Sequence, residues 1–370
     1  MRILKILQGS DAGGVYTCET QFIKYWVSRG VIVDVIILGD GNALERYKSI
    51  ASNYQVIENL DANYSGSPIN ILLAIRKAIK FAYKYKSKIK FKESYDAIIY
   101  RRPVFIHFAG ELSKLLGAKV YWHLPNFINR KFGRFYYSYY MKSYGVEPVA
   151  NSHYTKDTVG EQCKHVIYPG FDPSRIKATN ESFRSELGIS ASSKVFGIAA
   201  RINHTKAQDL VIKAMVNSGA FKKNMHIIIA GDLKDKNFIE HCRLQAGEFE
   251  KQVHFLGRID DLPKFYSSID VYVNSRRDEE PFGISIAEAL GAGLPVLAYY
   301  LGGPSEMIED GINGWFINEP NEKGYTEGFN RVLKDLQNWK VMGMAGLDRS
   351  TKFSAEVNAQ NFIEIIEKDN

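Results

Sequence analysis

The sequence predicts an α/β protein made of two doubly wound, Rossmann-like domains. Three observations predict it. Apolar runs of strand length alternate with segments of helical period along the chain. The alternation falls into two series parted by Tyr168-Pro-Gly-Phe-Asp-Pro-Ser174, whose two prolines and one glycine make it the best linker candidate. At about 100–200 residues per domain, 370 residues are also too many for one.

In the first series the clearest strands are 3–7, 31–38, 97–100 and 119–123. Between the first two, 15–29 has helical length and stops at Gly30, which completes one βαβ unit. The second series places strands at 195–200, 226–230, 253–256, 271–274 and 296–299, with helical segments such as 207–217 and 284–290 between them. A last helical pattern, 354–368, carries Phe362, Ile363, Ile365 and Ile366 and has no strand after it, so it is free to pack on either domain. The expected domains are 1–170 and 171–353.

Composition narrows the classes. With 45% apolar and 24% charged residues the chain is neither disordered nor collagen-like. No apolar run reaches the ~18–20 residues a spanning helix needs, and the one at the N-terminus ends at Gln8-Gly9, so neither a transmembrane enzyme nor a signal peptide is expected. Three cysteines, far apart and without Cys-x-x-Cys, suit a reducing, cytoplasmic setting. Charge is uneven: residues 1–170 hold 24 Lys+Arg against 13 Asp+Glu, leaving 24 against 28 for the remainder. The first half therefore suits an anionic partner, be it nucleic acid, a membrane surface or a phosphorylated acceptor.

The most informative segment is Glu280-Pro-Phe-Gly-Ile-Ser-Ile-Ala-Glu288. Pro281 suits a first helical turn, which would put the amides of Phe282, Gly283 and Ile284 at a helix N-terminus, a natural site for phosphate or sugar hydroxyls. Glu280 and Glu288 would then reach opposite ends of one ligand. Directly after the strand 195–200, Arg201 and Lys206 offer a guanidinium fork and a point charge suited to a diphosphate. In Gln8-Gly-Ser-Asp-Ala-Gly-Gly14, Gly13 and Gly14 let a ligand approach a helix start, although the spacing is not Gly-x-Gly-x-x-Gly. His123 closes a predicted strand and is expected at its carboxyl edge. No clean Asp-x-Asp is present, and neither a metal nor another cofactor is expected.

In this order the motifs resemble the family 4 glycosyltransferases, retaining enzymes of the GT-B architecture, in which two Rossmann-like domains face each other across an interdomain cleft. The resemblance rests on Gly13-Gly14, His123, Asn151-Ser-His-Tyr-Thr155, Arg201 with Lys206, Phe255-Leu-Gly-Arg-Ile259, the Glu280 to Glu288 motif and Gly302-Gly-Pro-Ser-Glu306. It implies that Glu288 holds the ribose of a nucleotide sugar, that the backbone at Ile259 reads the base, and that Arg201 and Lys206 hold the diphosphate. Glu280 with the amides of Phe282, Gly283 and Ile284 would grip the donor sugar, His123 would reach it from the opposite domain, and Gly14 would border the phosphates. Glu19 departs from the usual first-loop spacing and receives no role.

The function so implied moves a hexose or N-acetylhexosamine from a nucleotide sugar, UDP-linked by family habit, to a hydroxyl of a glycan or lipid-linked acceptor in bacterial surface polysaccharide or glycolipid synthesis. Two other readings stand beside it. A GT-B epimerase would need no acceptor, and a basic nucleic-acid-binding protein would leave Glu280, Glu288, Arg201 and Lys206 unexplained. Nucleic acid is thus not an expected partner. The run Arg76 to Lys92, with eight cations, and the apolar spacing of Ile71, Ile75, Ala78, Ile79 and Ala82 read as one basic amphipathic helix. Together with the aromatic segment 130–142 it is a candidate for docking on anionic lipid, which would place the protein on the inner face of the cell membrane.

Overall fold

The structure, a computed structural model, describes residues 1–62, 64, 67–128 and 131–369. The chain forms two compact units, Met1–Phe171 with Ala355–Asn370, and Asp172–Ser354. The C-terminal helix Ala355–Asp369 therefore belongs with the first unit. Arg130, the first cation of the expected aromatic segment, lies outside the described residues.

The first unit holds β1 (Arg2–Gln8), β2 (Ile32–Leu38), β3 (Asn53–Ile57), β4 (Ala97–Tyr100), β5 (Lys119–His123), β6 (Val146–Ala150) and β7 (His165–Val166), in the order β3-β2-β1-β4-β5-β6-β7. The second holds β8 (Val195–Ala199), β9 (His226–Ala230), β10 (Val253–Gly257), β11 (Val271–Asn274), β12 (Val296–Tyr299) and β13 (Gly314–Ile317), in the order β10-β9-β8-β11-β12-β13. Neighbouring strands pair parallel in both sheets. Parallel strands need crossover connections and end up covered on both faces, which is why these read as unbroken apolar runs. Two doubly wound sheets of this kind are the GT-B pattern.

Helices cover both faces of the first sheet. On one, Ala78, Phe81, Ala82 and Tyr85 of the helix Pro68–Lys86 pack with Phe105, Phe108 and Trp122. On the other, Cys18, Phe22, Ile23 and Trp26 of the helix Gly13–Ser28 meet Ala359, Phe362, Ile363 and Ile366 of the C-terminal helix. Trp26 Nε1 donates to the Ala359 carbonyl at 2.8 Å, which fixes the register of that docking.

The basic run is not one helix to Lys92. The helix Pro68–Lys86 stops at Ser87, and beyond it Ile89 and Phe91 are buried while Lys88, Lys90 and Lys92 face out. That alternation is an extended pattern, and three of the eight cations leave the helix face as a result. No helix among the described residues is long and apolar enough to cross a membrane.

Candidate functional site

In open α/β sheets ligands bind beyond the carboxyl ends of the strands, where the strand order reverses. In the second sheet that point lies between β8 and β11. Arg201 follows β8, and Lys206 closes the short 3-10 turn His204–Lys206. Arg276 and Glu280 follow β11. Glu280 Oε2 accepts from Lys206 Nζ at 3.2 Å and from Arg276 Nη1 at 2.8 Å. Arg276 Nε also donates to Asp278 at 2.8 Å.

The loops carrying these groups are tied together. The Asn203 side chain accepts from the Lys206 amide at 3.1 Å, and Gln208 Nε2 donates to the Arg201 carbonyl at 2.8 Å. Arg277 bridges the switch point, bonding Asp209 at 2.6 Å and the His204 carbonyl. The Tyr325 hydroxyl accepts from the Arg276 amide at 2.7 Å and pairs with its carbonyl at 2.8 Å. After β12, Gly303 donates its amide to the Glu280 carbonyl at 2.8 Å. That approach requires Gly302, whose φ is +93° and whose Cβ, if it had one, would stand 2.1 Å from the Glu280 carbonyl oxygen.

Electrostatics set the protonation states. Burial pushes the Glu280 carboxyl up, but Lys206 and Arg276 outweigh it and hold it below the usual carboxylate range. Glu280 is therefore ionised at neutral pH. Burial lowers the Lys206 ammonium, helped by Arg276 and Arg201 and opposed by Glu280. Three cations, Arg201, Lys206 and Arg276, against two carboxylates, Glu280 and Asp278, leave the group net positive, and the Arg201 residue is exposed. A diphosphate suits that balance.

The helix of the Glu280 to Glu288 motif runs Ile284–Gly291, with Gly283 at φ +96° as its N-cap and no side chain capping it. Pro281 thus lies before the helix, not in its first turn, because the chain must first pass Gly283 in the left-handed region. Phe282 is buried in the loop with its ring 6.0 Å from Phe353. The amide of Ile284 does stand at a helix start, with Gly283 just before it. Glu288 is buried on the helix, and its Oε2 accepts from the Tyr266 hydroxyl at 3.0 Å. Burial raises its pKa against that bond and the Arg175 charge. Ile259 is half-buried beyond the carboxyl end of edge strand β10, two strands from β8.

In the first unit, Gly13 at φ +59° and Gly14 are exposed at the start of the helix Gly13–Ser28, beyond β1 and beside the β1/β4 reversal. His123 is a correction. It is wholly buried, stacked on Phe22 with centroids 5.9 Å apart and edge-on to Phe362 at 5.5 Å. Nδ1 lies 3.2 Å from Arg101 Nη1 and Nε2 lies 2.8 Å from the Ile167 carbonyl. Arginine only donates, so these partners assign the neutral, Nε2-protonated ring. Burial and Arg101 hold its pKa well below the ordinary value. Both ring nitrogens are engaged inside the first unit, not free at the strand's carboxyl edge as expected.

Sequence reasoning missed Arg276 and Tyr266, and gave Glu19 no role. Glu19 is the buried partner of Lys5, and Arg101 Nε lies 3.8 Å from it. Among the described residues, no group of three or more His, Cys, Asp or Glu side chains is placed to hold a metal ion.

Fold and site together define a two-unit Rossmann-like protein of GT-B class with an anion-suited group at the strand-order reversal of its second sheet. Residues 179–346 match the family model of glycosyl transferases group 1. It is 26% identical over 198 residues to spore coat protein SA of Bacillus subtilis, covering 51% of this chain and 52% of that one. It is 28% identical over 193 residues to a lipopolysaccharide 1,2-N-acetylglucosaminetransferase of Salmonella typhimurium, covering 50% and 51%. The matches span about half the length of these curated relatives. Over the whole of both chains the fold matches the crystal structure of HepE from Anabaena in complex with UDP, with a TM-score of 0.81 at 21% identity.

Proposed function

We propose that the protein is a retaining glycosyltransferase that moves a hexose or N-acetylhexosamine from a UDP-sugar to a hydroxyl of a glycan or lipid-linked acceptor. The single observation that carries this reading is the Lys206–Glu280–Arg276 group at the β8/β11 switch point, inside the segment that matches the group 1 family. The UDP bound to HepE and the lipopolysaccharide role of the Salmonella relative support the donor and acceptor classes.

In this reading Arg201, Lys206 and Arg276 hold the diphosphate, Glu288 holds the ribose and Glu280 a hydroxyl of the donor sugar. The backbone at Ile259 faces the base, and the amides from Phe282 to Ile284 face the sugar. The acceptor oxygen forms its bond to the anomeric carbon as the bond to the diphosphate breaks. The electron pair of that bond goes to the phosphate oxygen, which also receives the acceptor's proton. Fixed cations stabilise the charge that grows on the leaving group, so no metal is called for. The basic first unit faces the acceptor at the inner membrane surface.

The test is UDP release from a panel of UDP-sugars, with and without a bacterial lipid extract, with the product's anomeric configuration read by NMR. Acceptor-dependent release with retention is expected. Inversion would refute the retaining mechanism, and an isomerised sugar nucleotide formed without acceptor would make the protein an epimerase.

A further inference from the structure

An apolar feature that the donor site leaves unexplained lies in the first unit, beyond the carboxyl ends of β4 and β5. It is a pocket of about 260 Å³ lined by Ile71 and Ile75 of the helix Pro68–Lys86, Trp122 of β5, and Phe132, Tyr136 and Tyr137 of the helix Lys131–Tyr144. Its volume falls just short of the ~300 Å³ at which sites for whole drug-sized ligands begin, so it suits one segment of a longer molecule.

Two exposed apolar stripes flank it. On the first helix Ile69 (70% exposed), Leu72 (51%) and Leu73 recur at helical spacing, and the same stripe continues into exposed Arg76 and Lys80. On the second, Phe132 (57%), Phe135 (74%) and Tyr139 share one face with exposed Lys142. Contiguous apolar surface rimmed by cations is what an anionic lipid interface recognises. Arg134 stands at the pocket's rim, because its Nε donates to the carbonyl of lining residue Ile128 at 2.9 Å.

We propose that this pocket takes the hydrocarbon segment nearest the phosphate of a lipid-linked acceptor, with Arg134, Arg76 and Lys80 meeting the phosphate and the two stripes lying in the membrane interface. The mainly apolar lining favours hydrocarbon, and Arg134 at the rim favours an anionic lipid over a neutral one. The proposal rests on the glycosyltransferase reading for the word acceptor. The lipid site itself stands on the first unit alone.

The experiment is calorimetric titration of the full chain with farnesyl phosphate, with farnesol and inorganic phosphate as controls. Saturable binding of farnesyl phosphate is expected, at least tenfold tighter than either control. It should weaken tenfold or more in Ile75→Trp and in Gly133→Leu, which fill the pocket by different routes, and severalfold in Arg134→Ala. Leu72→Ser and Phe135→Ser should leave that binding unchanged yet reduce sedimentation with phosphatidylglycerol vesicles. Absence of saturable binding, or binding indifferent to both filling variants, would overturn the proposal. So would a wild-type dimer that Phe135→Ser dissociates, which would give the stripes to a second copy of the chain. UDP binding by the same samples separates the two readings: UDP binding without farnesyl phosphate binding sinks the pocket alone, and the reverse sinks the donor site alone.

Discussion

Lys206 donates to Glu280 at 3.2 Å across the point where the strand order of the second sheet reverses. The two residues are 74 positions apart, and they meet because β8 and β11 are neighbours. Glu280 is the internal counter-charge that holds Lys206 and Arg276 in place before any phosphate arrives. Preorganised cations need no rearrangement when charge develops on a leaving group.

This arrangement separates the roles of the pair. Lys206→Met removes a charge-assisted contact worth about 1.5–3 kcal/mol, so UDP should bind roughly 10- to 100-fold more weakly. Glu280→Gln removes an anion beside the phosphates, so UDP should bind as well or better, while the extra affinity of the UDP-sugar over UDP is lost. Calorimetry with both ligands reads the difference. Equal weakening of UDP by the two variants would contradict the assignment.

Lys5 and Glu19 form a buried ion pair inside the first unit, with Lys5 Nζ also 5.0 Å from the Trp26 ring centroid. Removing Glu19 leaves both Lys5 and Arg101 buried without their carboxylate, so Glu19→Gln should cost about 3–5 kcal/mol. The double variant Lys5→Met with Glu19→Leu should recover part of that loss, since it still leaves Arg101 without the carboxylate. Chemical denaturation followed by intrinsic tryptophan fluorescence measures it, and a cost for Glu19→Gln under ~1 kcal/mol would show that this carboxylate is not what holds the interior.

His107 is buried against Tyr136, whose hydroxyl lies 2.7 Å from Nε2, and burial lowers its pKa from 6.5 to about 4. Below pH 6.5 the unfolded chain takes up this proton and the folded chain does not, so protons favour unfolding until about pH 4. Stability should fall across that window by up to about 3 kcal/mol from this residue. His107→Phe should flatten the slope there, whatever it does to stability at neutral pH. A slope unchanged in the variant would assign the acid sensitivity elsewhere.

Cys18, Cys163 and Cys242 are all buried, and burial pushes their thiols up to about 11, 11 and 12 respectively. Thiolate is the reactive form, so none should react with Ellman's reagent at pH 8 in the folded protein. All three should react after unfolding. A fast equivalent in the native state would contradict the packing around whichever cysteine gives it.

Much of this was legible in the sequence, for physical reasons. β4, β5, β9, β11 and β12 have the bounds their apolar runs suggest, because a parallel strand buried on both faces leaves an uninterrupted signature. β3, β6, β7 and β13 were not anticipated. β3 is an edge strand whose Asn53, Tyr54 and Val56 are exposed, β6 contains Pro148, and β7 has two residues. At the site, Arg201, Lys206 and Glu280 were legible because each follows a strand at the switch point. Arg276 was hidden beside Arg277, which makes a structural bridge instead, and only the fold distinguishes the two. The burial of His123 was hidden for a related reason. A residue closing a strand can turn into the helix layer as readily as outward, and the layer that receives it, Phe362 of the C-terminal helix, lies 239 positions away in sequence.

The central claim is that the second unit binds a nucleoside diphosphate through the group at the β8/β11 switch. A thermal-shift screen of the purified chain against UDP, GDP, ADP and their sugars, without metal and then with Mg²⁺, tests it most directly, because a ligand that binds only the folded state raises its stability. The account predicts a metal-independent shift with UDP and UDP-sugars that Lys206→Met and Glu288→Ala sharply reduce. No shift with any nucleotide, or a UDP shift that survives both substitutions, would contradict it.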